Sequence, residues 1–335
     1  MKTKVVSRIV IPIIAIGLCS ILSLSSFRPE QKIKIGFLVH DLVSDRWRSD
    51  LEGFSNKVTE LGGEPVTRNA FGDAQTQIKQ GKELVDQGVK VIAVVAQNGK
   101  ALAELVAYAN QAGATIIAYD RMILNCDLPY YISFNSVKVG EMMADYMLEL
   151  KPKGNYVILN GPSTDNNALL VRRGVMNKLK TPIENGDIKI LLDKEMDSWY
   201  ALSSMLIMQD FLADNKEPVD VVIAPNDNLA GGALDAFKLS KLKIPLFTGQ
   251  DATVDGCRNI MDDLQTMTIF KSKRLSSEGA MLAMKIAKGE RINITTTLNN
   301  GKRDVPSILF DPVIIDKSNL RRLLIPDHIK EADLN

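Results

Sequence analysis

One short segment, Ile116-Ile117-Ala118-Tyr119-Asp120-Arg121, changes abruptly from apolar to charged. The apolar run 114–118 predicts a buried strand of a parallel sheet, because such strands are short, apolar and closed by polar residues. Ligands of open α/β sheets bind beyond the carboxyl ends of the strands, so we expect Asp120 and Arg121 to face a ligand. The carboxylate accepts hydrogen bonds from hydroxyls, the guanidinium donates them, and the carboxylate would repel an anion. The pair indicates a small neutral polyol, with a solvated loop ion pair as the alternative.

Strand and helix patterns alternate on both sides of this segment. In the amino-terminal half, strand patterns lie at 32–39, 64–69, 89–96, 114–118 and 130–134. The alternation restarts after residue 136, with strand patterns at 155–159, 188–192, 219–224, 244–248, 266–270, 308–309 and 313–315. This order is typical of parallel sheets wrapped by helices, so we predict an α/β protein of two doubly wound parallel-sheet lobes. A ligand pocket is expected in the cleft between the lobes.

The composition excludes several functions. The 335 residues are 45% hydrophobic and 24% charged, and a net charge of +1 favours binding neither to nucleic acid nor to acidic lipid. Three cysteines do not make a disulfide framework, and two histidines far apart in sequence do not indicate a metal site. P-loop, nucleophile-elbow and dinucleotide fingerprints are absent from the sequence. We therefore predict no cofactor, no metal and no enzymatic activity.

The amino terminus has the pattern of an export segment. Basic residues precede an uncharged run, 9–27, and Arg28 closes it. This arrangement is typical of a secretory signal, and the run is also long enough to span a bilayer. We predict that residues 1–28 place the following domain outside the cytoplasm. Cleavage near Ser23, a retained anchor and lipidation at Cys19 are the alternatives; the residue before Cys19 disfavours lipidation, and the short span to the first strand favours an anchor.

Polar and aromatic side chains follow most of the predicted strands. The candidates for ligand contacts are Arg46, Trp47, Asp120, Arg121, Asn166, Asn167, Trp199, Asn226, Asp251 and Lys271. The polar candidates supply the donors and acceptors that hydroxyls need, and the flat faces of the two tryptophans suit the apolar faces of a pyranose. The set contains no Cys–His pair, no serine with a base and no acidic cluster typical of metal cages. It therefore indicates a sugar.

Each candidate also has a structural alternative. Trp47 is spaced to lie on the core face of a helix, and Trp199 precedes a helix and suits a hydrophobic staple. Helix capping is the alternative for Asn98, Asn226 and Asp251 and the preferred interpretation for Asp227. Plain loop or solvent-exposed positions are the alternatives for Asn166, Asn167 and Lys271. Because the residue types agree at all the strand ends, we favour the binding interpretation.

Several segments from residue 32 onward carry a resemblance to a known family. Among them are Asp45-Arg46-Trp47, Ala118-Tyr119-Asp120-Arg121, Asp165-Asn166-Asn167-Ala168, Gly249-Gln250-Asp251-Ala252 and Thr296-Thr297-Leu298-Asn299-Asn300-Gly301. On these segments the chain resembles periplasmic-type sugar-binding proteins and, among them, the D-xylose-binding proteins. The Asp-Arg and Gly-Gln-Asp elements are shared by many pentose and hexose binders, whereas Arg-Trp and Thr-Leu-Asn-Asn-Gly are more specific for xylose.

The resemblance implies a type I periplasmic binding protein fold whose lobes are joined by a hinge of three crossings. The crossings are expected near Asn135, Lys271 and Pro306. One lobe would comprise 32–135 plus 272–305, and the other 136–271 plus 306–330. The resemblance also implies sugar contacts from the polar candidates, with Asn166 as an alternative to Asn167, and stacking by both tryptophans. Gln97, Cys126 and Cys257 depart from the family pattern.

Two outputs of sugar binding follow from the resemblance. The closed protein either presents D-xylose to an ATP-driven permease of an ABC transporter, or signals as a tethered subunit to a membrane histidine kinase of a two-component system. The commoner role in the family favours transport, whereas the short tether favours sensing. A sugar-responsive repressor would need a helix-turn-helix before the first strand, where an apolar run stands instead.

Overall fold

Parallel strands form the centre of both halves of the molecule. The computed structural model describes residues 32–272, 274–325 and 327–334. The predicted export segment, 1–28, lies outside the described residues. In the part of the chain that the structure describes, no helix combines the length and the apolar character needed to span a membrane.

The strands and helices follow the predicted alternation. In chain order the strands are β1 (Lys34–Val39), β2 (Glu64–Asn69), β3 (Val91–Val94), β4 (Thr115–Tyr119), β5 (Tyr130–Phe134), β6 (Gly154–Asn160), β7 (Ile188–Glu195), β8 (Val221–Ile223), β9 (Leu246–Phe247), β10 (Met267–Phe270), β11 (Thr297–Asn299), β12 (Asp304–Phe310) and β13 (Val313–Asp316). The helices are α1 (Asp45–Glu60), α2 (Ala74–Asp86), α3 (Ala103–Gln111), α4 (Ser136–Leu150), α5 (Asn166–Glu184), α6 (Ala201–Asp214), α7 (Asp227–Leu239), α8 (Val254–Met261), α9 (Arg274–Ala287) and α10 (Leu320–Leu324).

The first lobe contains a sheet with the strand order β11-β12-β5-β4-β3-β1-β2. Its strands pair in parallel except for β11, which pairs antiparallel with β12. Both faces are covered: α2 and α3 pack on one side, and α1 and α9 on the other. Strand β4 shows why its segment is apolar throughout, since Ile116 and Ala118 enter one core and Ile117 and Tyr119 enter the other.

The second lobe repeats this plan with the strand order β7-β6-β8-β9, all parallel. Strand β10 joins the edge next to β9 through a bridge between Gln250 and Ile269, and β13 pairs antiparallel with β10. Helices α4 and α5 cover one face of the sheet, and α6 and α7 cover the other. Helices α4 and α5 meet at Gly140 and Gly174, where a Cβ would lie 2.0 Å from a carbonyl oxygen of the opposite helix. The predicted fold class, two doubly wound parallel-sheet lobes, is confirmed.

The third crossing between the lobes is not where the sequence suggested. We placed it near Pro306, but β12 continues to Phe310 and pairs with β5 in the first lobe. The proline is accommodated inside this strand, next to the short edge strand β11, and therefore does not break it. The chain leaves the first lobe after Phe310 and enters the second at Val313, so the boundary between 305 and 306 is wrong by several residues. The antiparallel edge strand β11 was also missed.

The strand order defines where a ligand is expected. Successive strands are added to one side of β1 and then, from β3 onward, to its other side, so the strand order of the first lobe reverses between β1 and β3. In the second lobe the same reversal lies between β6 and β8. Open α/β sheets bind ligands at the carboxyl ends of the strands that flank such a switch point. The loops after these strands carry most of the residues described below.

Candidate functional site

The strand ends of the two lobes face a shared cleft with a volume of about 360 Å³. Of the predicted site residues, those that line the cleft are Arg46, Trp47, Asp120, Arg121, Asn167, Trp199, Asn226, Asp251 and Lys271. Asn166 is half-buried and does not belong to the lining, whereas Asn167 does. Residues that line the cleft but were not among the predicted contacts include His40, Asp41, Gln97, Asp165, Tyr200 and Gln250.

Asp120 is held at the end of β4 in a backbone conformation that non-glycine residues rarely adopt. Its φ is +62°, and the residue is 1% exposed. Its carbonyl oxygen accepts hydrogen bonds from the hydroxyls of Tyr131 (2.9 Å) and Ser133 (2.8 Å) on β5. From the other lobe, Asn167 Nδ2 donates to the Asp120 carbonyl oxygen and to Oδ1, at 3.0 Å each. The bonds to the carbonyl oxygen hold the left-handed backbone, and the bond from Asn167 to Oδ1 orients the carboxylate.

Arg46 connects carboxylates of both lobes. Its guanidinium contacts the carboxylate of Asp120 in its own lobe, and its Nη1 lies 3.2 Å from Oδ1 of Asp251 in the other. Asp251 is also left-handed, with a φ of +95°. The Arg46 guanidinium carbon lies 4.4 Å from the centroid of the Trp47 ring, in a cation–π contact. Lys271 Nζ, which is buried, stands 4.0 Å from Asp120 Oδ2 and adds a second positive charge.

This charge cluster sets the protonation states of its members. Burial raises the pKa of Asp120, but Arg46 and Lys271 outweigh it, and the pKa is lowered to about 2. Burial also raises the pKa of Asp50 to about 6, although Arg46 opposes the shift. The pKa of Lys271 is lowered by burial, against the attraction of Asp120. Asp120 is therefore an anion at neutral pH and accepts hydrogen bonds.

A second ion pair crosses the cleft from Arg121 to Asp165. Arg121 Nε lies 2.8 Å from Asp165 Oδ2, and both side chains are buried. Asp165 is the N-cap of α5, since its Oδ1 accepts from the Asn167 backbone N–H at 2.9 Å. Trp199 Nε1 also donates to Asp165 Oδ2 at 3.2 Å. Asp165 was not among the predicted contacts, although it belongs to the segment Asp165-Asn166-Asn167-Ala168 that carries the resemblance.

Both tryptophans line the cleft, but Trp47 is buried in a lobe core and Trp199 is only half-buried. Trp47 belongs to the core of the first lobe, as the core interpretation predicts, and it also lines the cleft. Its ring is covered by the guanidinium carbons of Arg46 (4.4 Å) and Arg121 (5.5 Å). Trp199 is half-buried and packs against Gly161, where a Cβ would lie 2.2 Å from the ring. Glycine is therefore required for the ring to lie against this wall of the cleft.

The N-cap of α7 is Asn226 rather than Asp227. Asn226 is the N-cap of α7, because its Oδ1 accepts from the Leu229 backbone N–H at 2.9 Å, and it also lines the cleft. Asp227 is buried below it and accepts from Gln265 Nε2 and the Thr268 hydroxyl, at 2.8 Å each. The capping interpretation of Asp227 is therefore wrong. Burial raises its pKa to about 7, against these hydrogen bonds.

Neither Asn98 nor Asp251 is the N-cap of the helix that follows it. Asn98 Oδ1 accepts two backbone N–H bonds in the turn before α3, but the N-cap of α3 is Leu102, so the capping alternative for Asn98 is wrong. The N-cap of α8 is Thr253 rather than Asp251. Cys126 and Cys257 are buried away from the cleft, and burial raises the pKa of both thiols. Within residues 32–272, 274–325 and 327–334, no group of three or more His, Cys, Asp or Glu side chains is placed to hold a metal ion.

The fold and cleft define a two-lobed binding protein, and a family model described as a periplasmic binding protein domain matches residues 35–291. The chain belongs to this family. It is 37% identical over 313 residues to the D-xylose-binding periplasmic protein of Haemophilus influenzae, covering 92% of this chain and 94% of that one. It is also 37% identical over 326 residues to the D-xylose-binding periplasmic protein of Escherichia coli, covering 96% and 98%. These similarities place it, more narrowly, among the sugar-binding proteins of the xylose-binding family.

A solved structure supports the same assignment. An ABC transporter solute-binding protein from Clostridium phytofermentans, with bound β-D-glucose, superposes with a TM-score of 0.86 at 29% identity. The match covers 90% of this chain and 100% of that one. Because these relatives are binding proteins, the prediction that the chain is not an enzyme is confirmed.

Proposed function

We propose that this chain is an extracytoplasmic D-xylose receptor that closes around the sugar and presents it to an ATP-driven membrane permease. The observation that carries the proposal is the pairing of charges in the cleft. Arg46, Arg121 and Lys271 each lie within 4.0 Å of a carboxylate. An anionic ligand would have to displace these carboxylates, whereas a neutral polyol hydrogen-bonds to both partners of each pair. The two D-xylose-binding relatives support the choice of sugar.

The proposed contacts divide by chemistry. Asp120 and Asp251 accept hydrogen bonds from sugar hydroxyls, and Arg46 and Lys271 donate to hydroxyl oxygens. Asn167 and Asn226 line the cleft from the second lobe, and an amide side chain both donates and accepts. Trp199 packs an apolar face of the ring. A cavity of about 360 Å³ is near the lower limit for ligand pockets, as a monosaccharide requires.

Closure of the lobes is the proposed signal. In the part of the chain that the structure describes, three crossings join the lobes, near Asn135, at Lys271 and between Phe310 and Val313. The first and third are tied together, since the Asn135 N–H donates to the Phe310 carbonyl oxygen at 3.2 Å. The sugar shifts the balance between open and closed states by its greater affinity for the closed form, in which both lobes contribute hydrogen bonds.

A second output is favoured by one observation in the sequence. The uncharged run 9–27 ends only a few residues before the start of β1 at Lys34. A retained anchor would keep the receptor at the membrane, where a closed form signals to a histidine kinase. Amino-terminal sequencing of the mature protein separates the two: cleavage near Ser23 supports the diffusing transport receptor, and an intact amino terminus supports sensing.

Tryptophan fluorescence tests the proposed ligand. The full chain, in a detergent without a sugar headgroup, is titrated with D-xylose, D-ribose, D-glucose and L-arabinose. We expect saturation by D-xylose at roughly micromolar concentration, about −8 kcal/mol, and a weaker response to the others. Trp199→Phe should remove most of the change and Trp47→Phe less of it. A response to another sugar but not to D-xylose would refute the assignment of D-xylose as the ligand. No response to any sugar would refute the proposal that the chain is a sugar receptor.

A further inference from the structure

A hydrogen bond joins the two lobes at the mouth of the cleft. The Tyr200 hydroxyl, from the second lobe, donates to Oδ2 of Asp41, from the first lobe, at 3.2 Å. Asp41 follows β1 and Tyr200 is the N-cap of α6, so each stands at the beginning of a loop or helix that lines the cleft. Tyr200 is 43% exposed, which places it at the rim rather than at the floor. This contact lies outside the set of predicted sugar contacts.

Contacts within the first lobe orient the Asp41 carboxylate. Its Oδ1 accepts from the Val43 backbone N–H at 3.0 Å, and its Oδ2 lies 3.4 Å from Nε2 of His40. His40 is buried, and its ring meets Trp47 edge-on at 5.0 Å and 89°. Arg48 Nη1 donates to the Val43 carbonyl oxygen at 3.1 Å and supports the same loop. The carboxylate is therefore oriented within one lobe before Tyr200 reaches it.

The protonation states suit a bond between a hydroxyl and a carboxylate. Burial lowers the pKa of His40 well below its ordinary value, and Arg121 and Arg46 lower it further, so the ring is neutral at pH 7. A neutral ring forms no ion pair with Asp41, and the Tyr200 hydroxyl donates to Asp41 Oδ2. Burial and the negative charge of Asp41 raise the pKa of Tyr200, which keeps its hydroxyl protonated.

We propose that His40, Asp41 and Tyr200 form a rim latch that holds the lobes together over the bound sugar and sets its dissociation rate. The latch rests on the proposed function, because it acts on a receptor that closes around a ligand. The Tyr200–Asp41 bond exists only when the lobes meet, so its loss destabilises the closed state and leaves the open state unchanged. The dissociation rate constant should therefore rise while the association rate constant stays the same.

Tyr200→Phe removes the hydroxyl alone and tests the latch. In stopped-flow fluorescence with D-xylose we expect the dissociation rate constant to rise roughly fivefold, as for loss of one hydrogen bond, with association unchanged within twofold. The matched control is Tyr108→Phe, because the Tyr108 hydroxyl donates to Asp86 Oδ1 at 2.6 Å within the first lobe. The control should leave both rate constants unchanged. An unchanged dissociation rate in Y200F, or an equal rise in Y108F, would overturn the latch.

Two further measurements make the test independent of the sugar assigned. In D41A, adding Y200F should produce no further rise in the dissociation rate; an additive effect would overturn the pairing. Without sugar, the Gly99 N–H, which donates across the cleft to the Thr164 carbonyl oxygen at 3.2 Å, reports opening by hydrogen exchange. Y200F should exchange faster there, and equal exchange would count against the latch. If wild type binds another sugar instead of D-xylose, the proposed ligand fails and the latch is judged with that sugar; if it binds none, the exchange result decides.

Discussion

Asp120 and Asp251 stand in opposite lobes, and both have a left-handed backbone at the end of a strand or bridge. Their φ angles are +62° and +95°, and Arg46 contacts both carboxylates. Such conformations cost on the order of 1–3 kcal/mol each and persist where the surroundings impose them. Here they turn two carboxylates from different sheets towards one guanidinium, which gives the cleft its central acceptors.

Replacement of Asp120 by asparagine should separate backbone strain from charge. Asparagine tolerates the left-handed region, so the backbone strain is unchanged in D120N, and the thermal midpoint should fall because Arg46 and Lys271 lose a buried partner. The loss of a buried charge that pairs with Arg46 should weaken sugar binding by about 3 kcal/mol, or roughly 100-fold. Calorimetric titration and thermal unfolding measure the two effects. Equal affinity of D120N and wild type for the sugar would show that Asp120 does not contribute to sugar binding.

Asp165→Asn should weaken binding without unfolding α5. Asparagine is as good an N-cap as aspartate, so the bond to the Asn167 N–H can persist. The charge that pairs with Arg121 across the cleft is lost, and the closed state should lose about 2 kcal/mol. Affinity should fall roughly 30-fold at an unchanged unfolding midpoint. A fall in stability as large as the fall in affinity would mean that Asp165 acts through α5 alone.

Gly161→Ala should displace the Trp199 ring. The added Cβ would lie 2.2 Å from the ring, so the tryptophan must move. We expect a shifted tryptophan emission and roughly tenfold weaker sugar binding, since stacking contacts contribute about 0.5–1.5 kcal/mol. Gly231→Ala is the control, because a Cβ there meets nothing within 4 Å and helix propensity should raise stability by about 0.5–1 kcal/mol. Unchanged emission and affinity in G161A would contradict the proposed stacking.

Asp227 should make stability fall as pH rises. Its pKa is about 7 in the folded protein and 3.8 ordinarily, so between these values the native state keeps a proton that the unfolded chain has lost. The stabilisation is complete below about pH 4, falls through the interval and is gone above pH 7. Asp50, with a pKa of about 6, acts in the same direction, and His40, with a lowered pKa, acts in the opposite one.

The comparison of wild type with D227N isolates this contribution. From pH 5 to pH 7.5, the unfolding free energy of wild type should fall relative to that of D227N by on the order of 2 kcal/mol. Denaturant unfolding at the two pH values measures it. A difference that stays constant would show that Asp227 is ionised throughout.

Much of the fold could be predicted because both lobes bury both faces of their sheets. Continuous apolar runs such as 114–118 therefore mark the strands, and the polar residues after them mark the cleft. The resemblance placed the third crossing near Pro306, whereas pairing with β5 carries the strand past this residue to Phe310. Tertiary pairing of this kind leaves no local pattern.

The cleft was less predictable where its residues act across the lobes. Asp165 is explained locally as a helix cap, and only its distance to Arg121 gives it a second role. His40 and Asp41 directly follow β1, which is a signal that the strand-end rule could have used. Tyr200 has no such signal, because an exposed tyrosine before a helix is common and its partner lies 159 residues away in sequence.

Isothermal titration calorimetry of the full chain with D-xylose and with D-glucose tests the central claim most directly. We predict a single site with a dissociation constant of roughly micromolar for D-xylose, and at least tenfold weaker binding of D-glucose, whose extra hydroxymethyl group must fit the same cleft. Tighter binding of D-glucose, or no heat of binding with D-xylose, would contradict the account.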